Sequence, residues 1–214
     1  YKMHRTPAKD IIRPLIPLLK ETGINSEEYA YLIGFICHFM LDSECHGYVN
    51  QKAKEKGYNH LVMEMEFDRY LLNKNKKNAI HFPIYRLIPH DPNTIKALAH
   101  VYAQFGASER QIAEALKGMY FYKKLFTTGK TLQRAIIRLG MKITLHYKQL
   151  EGHMMDLIPK KSSAVTNQAL SMLYQNAIEK TADIIKEFHI HFPDGKPLNE
   201  RFSCDFKSNR IPDS

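Results

Sequence analysis

Three features of the chain predict an all-α fold. Apolar residues recur at helical rather than alternating spacing, no Asn-Gly or Asp-Gly turn joins two apolar runs, and prolines and glycines fall between the periodic segments. With 214 residues, 44% of them hydrophobic, the chain can bury one sizeable core. No shift in composition divides it, so residues 1–214 are expected to form a single multi-helix domain.

Pro7 suits the first turn of a helix running toward Glu21, with Pro14 and Pro17 kinking or breaking it and Gly23 ending it. Ser26 can cap the next helix, Glu27 and Glu28 suit its positive first turn, and Gly47 is expected to stop it after about His46. The run from Tyr29 to Leu41 is shorter than a membrane span and carries His38, so a buried helix is expected, and no transmembrane segment. A polar connection, Tyr48 to Tyr58, leads to Asn59, a cap for a helix from His60 to about Leu72. From Asn73 to Asn93, lysines and Pro83, Pro89 and Pro92 predict an irregular loop that lines a site.

A short helix is expected over Asn93 to Gln104, and a Ser108/Gln111 capping box opens another that reaches Phe126. Thr131 to Leu157 and Ser163 to Phe188 read as two long helices, stopped near Pro159 and Pro193. The polar end of the chain, with Phe202 and Phe206 scattered through it, is expected to wrap the surface as an irregular tail.

The net charge of +9 favours anionic partners: phosphate groups, lipid headgroups or nucleic acid. Three cysteines at no paired spacing exclude a disulfide framework; on one helix Cys37 and Cys45 would stand roughly 12 Å apart. The sequence opens on Tyr1, so a leader would lie before it and localisation stays open.

Chemistry concentrates in one short stretch. On a helix, residues four apart share a side, which aligns His38, Asp42 and His46; His60 and Glu64 repeat the spacing on the next helix. Zinc favours imidazole nitrogen and carboxylate oxygen, and an i, i+4 pair lets two side chains converge on one ion. Packed side by side, the two helices would face five ligands into one gap. Composition alone yields about one His followed four later by an acid, so the signal lies in the clustering of two such pairs around a third His. Asp42 also sits beside the apolar stretch Phe35 to Leu41, where an unneutralised carboxylate is costly. A metal-free arrangement meets the same spacing: His38 and Asp42 as a buried hydrogen-bonded pair, with His46 and His60 decorating helix ends. Asp68 continues the register after Glu64 as a supporting or surface residue.

The stretch Gly34-Phe-Ile-Cys-His-Phe-Met-Leu-Asp-Ser-Glu-Cys-His46, followed by Asn59-His-Leu-Val-Met-Glu64, resembles the zinc-dependent phospholipase C family, in particular a bacterial branch of it, and is related to the P1-type zinc nucleases. That resemblance implies an all-α fold around up to three zinc ions. His38 and Asp42 would bind one, with Asp42 bridging to a second, while His46, His60 and Glu64 bind another; His4, in Tyr1-Lys-Met-His, matches the histidine that joins His38 and Asp42. It further implies hydrolysis of a phospholipid or other phosphoester by a metal-bridging hydroxide, with peripheral membrane contact as an added expectation. Nucleic acid is the second choice of substrate, and a non-catalytic zinc- or membrane-binding domain the reading from another class. The family draws further ligands and an aspartate base from a segment upstream of His4, and the Asp42 to His46 spacing is shorter than in secreted members. No catalytic base is therefore assigned, and the centre is expected to lack part of its ligand set.

Other patterns carry less. Gly129-Lys-Thr131 mimics a phosphate-binding loop, but Lys124 occupies the first glycine position and no strand precedes it; no His-Glu-x-x-His is present. His146 and His153 lack a carboxylate partner in register, His189 and His191 alternate near a helix end, and both pairs are expected at the core edge or surface.

Overall fold

The computed structural model describes residues 3–143 and 147–209, and the described residues are helical with no extended strand. Ala8–Ile12 (α1) and Ile16–Thr22 (α2) flank a tight turn, Arg13–Leu15; Pro14 within it and Pro17 in the first turn of α2 deny the backbone two amide donors. Gly23 then turns the chain at φ 82°, a left-handed conformation that glycine adopts without steric cost.

Ser26 Oγ accepts from the Tyr29 amide at 3.1 Å and opens α3, Glu27–Lys52. The helix runs past Gly47, contrary to the expected stop. A mid-helix glycine costs about 1 kcal/mol, which burial of Val49, 1% exposed, can offset. Asn59 caps α4, His60–Lys74, by accepting from the Val62 amide. Asp91 caps α5, Pro92–Ala103, and the reciprocal Ser108/Gln111 bonds open α6, Glu109–Phe126.

The expected helix from Thr131 to Leu157 is not continuous. α7 covers Thr131–Ile143, α8 only Tyr147–Leu150, and Met154 is extended. Beyond the break, Arg134 donates to the Met155 carbonyl and Arg69 to that of Asp156, so side chains satisfy backbone acceptors that no helical ladder serves. α9, Ser163–His191, is the longest helix described.

The chain forms two compact units. One comprises Tyr1–Tyr48, Asp91–Ile112 and Met172–Ser214; the other Val49–His90 and Ala113–Ser171. In the first, Leu32, Ile36, Phe39 and Met40 of α3 join Ile12, Leu15 and Leu19, Phe188 near the end of α9 and Phe192 just beyond it in one core. The segment around Phe202 and Phe206 belongs to that core and is not a surface wrap: both are 1% exposed, and their rings lie 5.9 and 5.4 Å from that of Phe39. Two large aromatics carry more apolar area than the neighbouring polar residues can hold in water.

The second unit adds buried charge to its apolar contacts. Glu66 and Arg69 are almost wholly buried and meet at 3.3 Å, Arg134 donates to the Thr128 carbonyl at 2.7 Å, and Asp156 pairs with Arg138 and Lys160. Burial pushes the Glu66 carboxyl above its ordinary range, against the opposing pull of Arg69.

Candidate metal centre

α3 aligns His38, Asp42 and His46 as its periodicity requires. Asp42 Oδ2 stands 3.5 Å from His38 Nε2 and 3.8 Å from His46 Nε2, so one carboxylate lies between two imidazoles. The side chains of Asp42 and His46 are largely buried at 16% and 14% exposure, whereas that of His38 is 53% exposed. The group therefore opens to solvent at His38 and is closed at its base.

His4 joins from the short turn Met3–Arg5, with its ring 5.6 Å from that of His38. Phe206 seats both, 4.7 Å from the His4 ring and 5.3 Å from the His38 ring. Burial pulls the His4 pKa down; the Asp42 carboxylate opposes this and His38 reinforces it. A largely neutral imidazole offers a lone pair to a cation, the form a metal requires. One donor atom each from His4, His38 and Asp42 lies within 4.8 Å of the others. Two imidazole nitrogens and a carboxylate at that separation fit zinc.

In the second unit, His60 is the first residue of α4, and its Nε2 lies 2.8 Å from Glu64 Oε1. One turn on, Asp68 enters the wall of a cavity of about 420 Å³ that Glu64 also lines. The remaining wall is mainly apolar, including Leu61, Met65, Leu72, Ile80 and Phe126, with Lys123 and His153 among its few charged or titratable groups. Asp68 is open to solvent yet flanked by protein; burial raises its pKa, Lys123 opposes the rise and Glu64 adds to it. Residues 75–84 supply part of the lining, so the proline-rich loop does line a cavity, as its composition predicts.

Spacing gave no reason to single out Lys123 or His153. His153, expected at the core edge or surface, is exposed at the rim of this cavity and stacks on Phe126 at 6.1 Å, while His146 lies outside the described residues. Asp68 had one available signal, its place four residues after Glu64. His189 and His191 lie in the last turn of α9, where His189 Nδ1 is 2.9 Å from the Tyr29 hydroxyl.

A family model described as zinc dependent phospholipase C matches residues 1–124. The chain belongs to the zinc-dependent phospholipase C family. No curated protein and no solved structure matches it. The matched stretch contains all six expected ligands, His4, His38, Asp42, His46, His60 and Glu64, whereas α7 and α9 lie beyond it. Membership in this family brings zinc as the cofactor and phospholipid phosphodiesters as the general class of substrate. No helix among the described residues is long and apolar enough to cross a membrane.

Proposed function

We propose that this chain hydrolyses the phosphodiester bond of a phospholipid at a zinc centre. The observation that carries the reading is the convergence of His4, His38 and Asp42, with donor atoms within 4.8 Å, in a chain of a zinc-dependent phospholipase C family. These three residues would hold one ion, and His46, His60 and Glu64 another, as the family motif implies. Zinc, when bound, supplies a Lewis acid that lowers the pKa of water and offsets charge growing on phosphate oxygens.

The chain's own residues have separate tasks. Asp42, set between His38 and His46, fixes both rings along one side of α3. Phe206 closes the base of the site beneath the His4 ring, and partial burial there favours the neutral, metal-binding form of His4. The cavity lined by Glu64 has apolar walls suited to the chain-bearing part of a lipid, and Lys123 offers a cation to a phosphate oxygen. Such walls favour a lipid substrate over a nucleotide, which needs polar partners for its base.

Elemental analysis of purified protein should find at least one tightly held zinc per chain, with content reduced in His38→Ala and in His60→Ala. Unchanged zinc in both variants would overturn the ligand assignment. Turnover of a short-chain phosphocholine diester, measured beside single-stranded DNA, tests the reaction. Hydrolysis of the DNA alone makes the protein a nuclease, and zinc binding with no turnover of either makes it a binding module.

A further inference from the structure

An amphipathic helix in a folded chain normally turns its apolar face inward, and α7 does the reverse. At about 100° per residue, Leu132, Ile136, Leu139 and Ile143 fall within an arc of roughly 60°. They are 76%, 61%, 58% and 71% exposed. On the opposite side, Arg134 and Met141 are 3% and 5% exposed. α7 is thus anchored by the side that holds its buried arginine, while its aliphatic stripe faces out. Single exposed leucines are ordinary, but four in register on one helix form a patch that marks an interaction surface.

The surrounding sequence indicates what that surface meets. From Lys117 to Lys161 there are ten lysines and arginines against two acids, Glu151 and Asp156, a surplus of eight in a chain whose net charge is +9. Asp156 is itself neutralised by Arg138 and Lys160. Lys130 and Lys142, near the two ends of the helix, are both exposed. A second copy of the chain is a poor occupant, because it would set two such basic surpluses against each other. At 13 residues α7 is too short to span a bilayer, but it has the composition of a helix that lies in the headgroup layer.

We propose that α7 docks this protein on an anionic lipid surface, with Leu132, Ile136, Leu139 and Ile143 entering the interface and the neighbouring basic residues meeting lipid phosphates. The proposal extends the phospholipid reading of the zinc site but does not require turnover. Sedimentation of the full chain with phosphatidylcholine vesicles, with and without phosphatidylserine, tests it. Binding should be clearly stronger with phosphatidylserine and fall as salt rises. Ile136→Glu and the uncharged Ile136→Ser should each weaken it, the former by about tenfold or more, with thermal melting unchanged because the side chain is exposed. The proposal is overturned if the wild type ignores anionic vesicles, if both variants bind as tightly as wild type, or if the wild type is a dimer that Ile136→Glu dissociates. Vesicle binding without phosphodiesterase activity would retire the proposed reaction and leave this surface standing; turnover of a soluble phosphocholine ester without vesicle binding would do the opposite.

Discussion

The two units of this chain stabilise their functional groups by different means. In the first, His4 and His38 rest on Phe206, which is itself packed edge-on against Phe35 and Phe39. Apolar contact therefore supports the donors, and the Asp42 carboxylate ties them together electrostatically. In the second, buried Arg69 and Arg134 clamp the carbonyls of Asp156 and Met155, and a cavity opens beside Glu64 and Asp68. The contrast shows how one chain serves two needs. Ligands for a small ion must be held within a few tenths of an ångström, which close packing provides. A cavity for a flexible substrate needs walls that stay apart, and hydrogen-bonded charges can brace a loop without filling the space it encloses.

The contrast breaks first at Phe206. Phe206→Ala removes a ring that is 1% exposed, and unfolding in denaturant should show a loss of about 3 to 5 kcal/mol. Zinc content should fall with it, since the ring seats both His4 and His38; stability lost with zinc fully retained would show that packing does not hold the donors. Arg134→Met probes the other unit. It keeps most of the apolar stem and removes the guanidinium that serves the Thr128 and Met155 carbonyls, at an expected cost of about 1 to 3 kcal/mol with zinc content unchanged. If Arg134→Met cost nothing, the charge network would be decoration and the cavity wall would stand on its apolar contacts.

The sequence made the helical class and most helix starts legible, because local chemistry decides them: Ser26, Asn59 and the Ser108/Gln111 box all act as caps. The ligand register on α3 was legible for the same reason, since four-residue spacing fixes direction on any helix. What escaped depended on distant partners. Gly47 reads as a stop, yet the helix continues through it to bury Val49. Leu150 to Asp156 looks helical, yet Glu151–His153 tightens to a 3-10 turn and Met154 is extended, and Arg69 and Arg134, far off in sequence, bind the carbonyls that follow. Phe202 and Phe206 sit among polar residues and read as a tail, because no local pattern reveals that the first unit's core has room for two rings. The inverted face of α7 is plain in the sequence as amphipathicity, but only the fold shows that the apolar side points out.

The smallest expected effect tests whether the cavity wall is a structural or a solvent-like environment. His153 lies against Phe126, and burial, reinforced by Lys123, lowers its pKa below 6.5. Because the folded state resists protonating this ring, the unfolded chain binds the extra proton first as the pH falls. The contribution of His153 is thus fully present above the unfolded value near 6.5 and is lost as pH falls from there through the lowered folded value. Comparing wild type with His153→Gln by thermal melting across that window isolates the contribution. The wild type should lose more stability than the variant between neutral and mildly acidic pH, and the two should run parallel above pH 7, where neither ring nor amide titrates. Parallel curves at every pH would mean that His153 is hydrated in the folded state, and that the cavity beside Glu64 is open water rather than the dry, apolar wall a lipid chain requires.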